Sequence, residues 1–370
     1  MRRNEKLDSV RGIAALLVVF HHIMHLHDPE RVGRALTPAL RDVSSSDWLG
    51  RFLSSVASGG MAVNIFFILS GAVLIESLRR EGRIDVGAAV RFSGRRVFRI
   101  FPALIFAVSL FALLSHIWLP AEIGYPFIFK QVVTNSLLLN HGVIGATWTL
   151  QSEMLMVPVL LAVAWFRSIF GTIALVGFLF WAQYCLHQGP PFGGHLLNVA
   201  LTAFALGTLV PTGIVAEACR KMPSASPWLL AIALVAIRFY FSIDSLPALL
   251  ATLIISAAIV ALLYHDDRSD HLLSRPAPVF LGRISYSVYL LHVIVVYWFF
   301  PHYAGFVGPA RIAAHPIAFA FFYCLFAVPA TIVFSALCER YVERPFIRLG
   351  AKLFPTAGRP AAAAQLQPAV

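Results

Sequence analysis

The sequence predicts an all-α, polytopic membrane protein: a helical bundle of about ten transmembrane helices with both termini cytoplasmic. Three observations carry that expectation. Of the 370 residues, 59% are hydrophobic and 13% are charged, too apolar for a surface facing water on all sides. Long uncharged windows recur: 24 residues lie between Arg51 and Glu76, 22 between Arg99 and Glu122, and 27 between Arg311 and Glu339. A spanning helix needs only about 20. The basic residues also sort into alternate loops, and the ten-residue alternation of a transmembrane barrel is absent.

In chain order, the expected spans cover roughly 11–26, 56–75, 100–119, 147–166, 168–186, 195–213, 226–243, 245–264, 284–302 and 313–337. With the N-terminus inside, 21 of the 29 Lys and Arg fall in inner loops and termini, six fall outside, and Arg11 and Arg238 lie within spans. Segment 120–146 carries Pro126, Lys130, Asn135, Asn140 and Gly142, and reads as a short or re-entrant helix. A full span there would move every later basic cluster outside, against the positive-inside rule. Residues 1–350 read as one domain without an internal repeat. Residues 351–370, which include "PTAGRPAAAAQLQPAV", read as a low-complexity, disordered tail. The first helix reads as an uncleaved signal-anchor, because no small-residue cleavage site follows a short apolar core.

The net charge of +11 suits loops beside an anionic leaflet and needs no nucleic acid. The four cysteines show no CxxC pair and no zinc spacing. "HHIMHLH" and "HDDRSDH" lack the rest of a ligand set, so no metal and no bound cofactor are expected.

"LDSVRGIAALLVVFHH" (Leu7 to His22) is the informative stretch. At about 100° per residue, Arg11 and His22 share one face of the helix, and a rise of 1.5 Å per residue separates them by about 16 Å. Asp8 lies a turn below Arg11. Interfacial snorkelling explains Asp8 or Arg11 taken singly, and an interfacial histidine explains His22. An acid, a guanidinium and an imidazole on one seam point instead to function, because ionisable groups inside a bilayer are costly.

This stretch resembles the Arg-x10-His signature of the acyltransferase-3 family of integral-membrane acyltransferases. Five further segments resemble that family's motifs, in order: "FFILSG" (Phe66 to Gly71), "RRVFRIFPAL" with Arg96 and Arg99, "TWTLQSEM" (Thr147 to Met154), "LGRISYSVYLLH" (Leu281 to His292) and "ERYVERP" (Glu339 to Pro345). The resemblance runs from about residue 5 to 348. It departs at Gln151 and Ser152, where small or β-branched residues are frequent.

The resemblance implies transfer of an acyl group, usually acetyl, from cytosolic acyl-coenzyme A to a hydroxyl of an extracytoplasmic or lipid-linked glycan, at a bacterial inner membrane. Arg11, His22 and Glu153 are the expected catalytic residues. His22 is the natural general base. Glu153, expected at similar depth, either orients His22 or binds the acceptor. Asp8, Ser70, Arg96, Arg99, Trp148, Tyr286 and His292 are the expected substrate-binding residues. Guanidinium groups at 96 and 99 suit phosphates. Ser70 in "LSG" reads equally as a small-residue packing site, and Trp148 as an interfacial aromatic. The rival reading is a transporter or flippase for a lipid-linked sugar or acyl donor, whose passage the polar seam would line.

Overall fold

The computed structural model describes residues 4–118, 127–189, 194–268 and 272–356. No strand occurs among them. In chain order the helices are α1 (Glu5–His27), α2 (Trp48–Val56), α3 (Gly59–Glu81), α4 (Val86–Trp118), α5 (Phe129–Ser136), α6 (Trp148–Phe170), α7 (Thr172–Gln188), α8 (His195–Leu209), α9 (Gly213–Arg220), α10 (Ser226–Tyr240), α11 (Leu246–Tyr264), α12 (Pro276–Val307), α13 (Pro309–Ala314), α14 (Pro316–Cys338) and α15 (Arg344–Leu353).

Each of the ten expected spans falls on a helix, but not all ten helices are equally long. Among the described residues seven helices are long and apolar enough to cross a membrane, or eight if α8 and α9, bent by 76°, form one broken span. Helices α8 and α10 have 15 residues each. At 1.5 Å per residue they reach about 22 Å, short of a ~30 Å hydrocarbon core. Among its described residues, segment 120–146 holds the eight-residue α5 and the start of a 3-10 turn at Gly145, with 119–126 outside the described residues. Most of the expected tail also lies outside them, though α15 runs on to Leu353.

Two close glycine crossings hold the centre of the bundle. Helix α1 lies along α12, where a Cβ on Gly12 or Gly282 would overlap the facing backbone at Leu281 or Asp8. Helix α3 lies along α8, where a Cβ on Gly71 or Gly207 would overlap the carbonyls of Phe204 or Ile68. Small residues let apolar helices approach this closely. The crossings fix α1 and α3, the helices that carry Arg11, His22 and Ser70, against neighbours on both sides. Buried apolar clusters fill the space around them, one between α3 and α8 and another joining α1, α12 and α14.

Polar ties pin the ends. At the start of α1, Asn4 accepts from the backbone N–H of Leu7, and Lys6 Nζ sits 3.2 Å from Asp266 Oδ2, just beyond α11. Burial alone would raise the Asp266 pKa, but hydrogen bonds from Arg268 and Lys6 outweigh it and hold the carboxyl below its usual range. At the other end Arg51, fully buried, donates to the carbonyls of Ala35, Pro38, Phe239 and Phe241. It joins the loop after α1 to the end of α10.

Candidate active site: two cavities along the first helix

The N-terminal half of α1 faces a small cavity of about 70 Å³, lined among others by Arg11, Ser70, Arg96, Arg99, Glu153 and Tyr286. Its charges are unbalanced. Most arginines around the α3–α4 turn have carboxylate partners: Arg79 and Arg80 bind Glu76, and Arg91 and Arg95 bind Glu81. Within the cavity, Arg96 Nη2 donates to Glu153 Oε2 at 3.1 Å, and Ser70 Oγ donates to Glu153 Oε1 at 2.7 Å. Arg11 sits 3.6 Å from Asp8, which does not line the cavity. Arg99 has no carboxylate within 4.0 Å among the described residues, and Arg96 Nε is buried without a hydrogen-bond partner. Three guanidinium groups thus share one cavity-lining carboxylate and leave donors unused. Buried donors of this kind favour an anion.

The C-terminal half of α1 faces a second, larger cavity of about 440 Å³, lined by His21, His22, Gly60, Phe111, Gly145, Trp148, Tyr289 and Tyr297 among others. Among the described residues no Asp, Glu, Lys or Arg lines it. His22 Nδ1 and the Tyr297 hydroxyl share a 2.8 Å hydrogen bond, and the His22 ring lies against His292, centroids 5.1 Å apart. His292 is fully buried and lines neither cavity. Its Nδ1 bonds the Val288 carbonyl, which only accepts, so Nδ1 carries the proton. Val63 and Tyr289 line both cavities. Tyr289 is held at that divide: its hydroxyl donates to the Ala146 carbonyl at 3.1 Å and accepts from Thr149 Oγ1 at 3.0 Å.

The structure separates two residues expected at similar depth. Glu153 binds Ser70 and Arg96 in the arginine cavity, so it does not orient His22; Tyr297 is the residue bonded to that imidazole. The depth estimate assumed that α6 begins at the membrane surface. Instead its start is sunk into the bundle, with Thr147, Thr149, Leu150 and Ser152 all buried. The buried side chain of Asn135 makes this tolerable. It accepts from the backbone N–H groups of Val143 and Ile144 and donates to Thr147 Oγ1, so the inward loop leaves these groups satisfied.

The other expected residues divide between the two sites. Ser70 lines the arginine cavity while its neighbour Gly71 makes the α8 crossing, so "LSG" serves both readings. The Tyr286 hydroxyl donates to the Ile100 carbonyl at 2.7 Å at the edge of that cavity. Trp148 lines the histidine cavity, braced edge-on by Phe67. Arg238, within α10, has its Nε buried without a partner among the described residues. Asp266 of "HDDRSDH" is taken up by Lys6 and Arg268, with 269–271 outside the described residues. No group of three metal-ligating side chains occurs among the described residues. Tyr297 belongs to none of the quoted motifs, whereas Tyr289 stands inside "LGRISYSVYLLH" and hydrogen-bonds within the bundle.

The family described as an acyltransferase domain matches residues 4–336. An O-acetyl transferase of Shigella phage Sf6 is 27% identical over 173 residues, 42% of this chain and 44% of that protein. The chain therefore spans less than half the length of that relative. No solved structure matches it.

Proposed function

Because the chain belongs to the acyltransferase-3 family, matched over most of its length, we propose that it is a membrane O-acyltransferase. In this reading it moves an acyl group, acetyl in the first instance, from acyl-coenzyme A to a glycan hydroxyl on the far side of a bacterial inner membrane. The phage relative's description as an O-acetyl transferase supports the reaction type. The pairing of an arginine-lined cavity with a histidine-lined one, end to end on α1 and meeting at Tyr289 and Val63, carries the reading.

The chemistry assigned to each end follows from its groups. Coenzyme A is a polyanion, and Arg96 and Arg99 are the cavity cations with unused donors. With the N-terminus of α1 inside, that cavity opens toward the cytosolic donor. At about 70 Å³ it has no room for a nucleotide. The adenosine end stays at the mouth, a phosphate reaches the arginines, and the slender pantetheine arm passes Tyr289. His22 takes the proton of the acceptor hydroxyl as its oxygen attacks the thioester carbon. The C–S bond breaks, and the imidazolium returns the proton to the departing thiolate, giving ester and free thiol. Direct attack needs both substrates held at near-attack distance, which two cavities meeting at one point provide. Tyr297 fixes the imidazole orientation through Nδ1, leaving Nε2 for the proton transfer.

The test is O-acetylation of extracted surface polysaccharide, read by NMR. It compares cells carrying the intact gene, a deletion, and a well-expressed His22→Ala protein. Loss of the acetyl signal in both the deletion and the variant is expected. Signal retained in His22→Ala removes His22 from the reaction. A purified protein that moves a lipid-linked sugar across vesicles without releasing thiol from acetyl-coenzyme A is a flippase instead.

A further inference from the structure

On the acyltransfer reading, we propose that Gly60 and Gly145 set the size of the acceptor admitted to His22, and that the space they leave open receives a sugar ring. Both residues line the histidine cavity and both are exposed, which puts them at its mouth. Gly60 lies in the first turn of α3, and Gly145 opens the single 3-10 turn before α6.

Neither position needs glycine for a backbone or packing reason. Neither has a positive φ, and a Cβ built on either meets no atom of the described residues within 4 Å. The neighbouring Gly59 differs, because its Cβ would press to 2.7 Å on the His21 ring. Glycine inside a helix gives up propensity relative to alanine, so Gly60 is locally unfavourable without a contact that demands it. What the two missing side chains do leave is open volume in front of His21 and His22.

The chemistry of the walls suits a sugar. The cavity's roughly 440 Å³ is within the range of small-ligand pockets, about 300–1,000 Å³. Phe111, Trp148, Tyr289 and Tyr297 supply flat apolar faces against which the C–H face of a pyranose can lie. His21, His22 and Tyr297 supply groups that hydrogen-bond hydroxyls. Among the described residues no Lys or Arg lines this cavity, so the phosphates of the donor are better suited by the other one.

The experiment measures a ratio, so that a misfolded variant cannot mimic the result. Purified protein is given acetyl-coenzyme A with either methyl glucoside or glycerol, and kcat/KM is obtained for each acceptor. The variants are Gly60→Leu, Gly145→Leu and, as a control, Gly177→Leu on α7. Gly177 has an equally open Cβ position outside both cavities. Filling the mouth is expected to lower the glucoside-to-glycerol ratio at least tenfold at positions 60 and 145 and to leave it unchanged at 177. An unchanged ratio at 60 and 145, an equal fall for both acceptors, or a wild-type protein that acetylates glycerol but no sugar each overturns the proposal. A wild-type protein that acetylates neither acceptor and releases no thiol fails earlier, at the acyltransfer reading itself.

Discussion

The two cavities on α1 differ in how they handle polarity. In the arginine cavity charge is concentrated and only partly neutralised: three guanidinium groups face Glu153, and Asp8 supports Arg11 from outside. In the histidine cavity no described wall residue is an Asp, Glu, Lys or Arg, and polarity comes from imidazole and phenol groups. The first arrangement attracts and holds an anion. The second can exchange a proton without first breaking an ion pair. One helix presents both because eleven residues separate Arg11 from His22, close to three whole turns. The guanidinium groups and the imidazoles are thus kept apart by depth, with Tyr289 lining both spaces.

The largest expected effect tests the histidine side. His22→Ala should lower transfer by about a hundred- to ten-thousandfold, the usual contribution of a positioned general base, while acetyl-coenzyme A affinity, measured by calorimetry, stays within twofold. A matching loss of donor affinity would mean that the two cavities do not divide the work.

The arginine side should respond in the opposite way. Arg99→Ala breaks no ion pair within 4.0 Å among the described residues, and Glu343 keeps its hydrogen bond from Ser287, so folding should be spared. Donor KM should rise about tenfold or more, the equivalent of ~1.4 kcal/mol, with kcat little changed. Steady-state kinetics at saturating acceptor check this; a fall in kcat at constant KM would place Arg99 at the reacting atoms.

Tyr297→Phe sharpens the division. Removing one hydrogen bond to His22 is worth about 0.5–1.5 kcal/mol, so kcat should fall roughly two- to tenfold with donor KM unchanged. No change in kcat would mean that His22 is oriented by its stacking on His292 alone.

The smallest effect on turnover should come from Asp266→Asn, which loosens the Lys6 tie at the base of α1 without touching either cavity. Thermal unfolding should show a loss of about 1.5–3 kcal/mol, typical of a charge-assisted bond. Because the folded-state pKa of Asp266 is depressed, its stabilisation is fully present above the unfolded value. It is lost as pH falls through the folded one. The difference between wild type and variant should therefore be constant from about pH 8 to pH 5 and shrink below about pH 4. A difference that fades near neutrality would contradict the assigned tie.

The part of the site on one helix was legible because helical geometry is local. Arg11 and His22 are related by residue count alone, and so are Arg96 and Arg99, one turn apart on α4. Glu153 was legible as a motif residue but not as a neighbour. Its depth depends on where α6 starts, and that start is set by Asn135 satisfying an inward loop. Tyr297 could not be assigned to His22 from sequence, since the two lie 275 positions apart and meet only because Gly12 and Gly282 bring α1 and α12 into backbone contact. Arg51 reads in sequence as another outer basic residue, yet it is buried on four carbonyls from two distant segments.

By itself, then, the sequence determined through its six motifs that the chain resembles the acyltransferase-3 family, and through its patterning that it is helical, apolar and polar along one face of its first helix. Hydrophobic length, charge sorting and a 100° step are properties of consecutive residues. Only the tertiary structure decided that the polar seam borders two cavities rather than one. Only it decided that Glu153 stands with the arginines, that Tyr297 holds His22 and that Tyr289 divides the two spaces. Those relations depend on the depth and register of helices packed side by side, which close glycine crossings and sunken loops set and no single helix records.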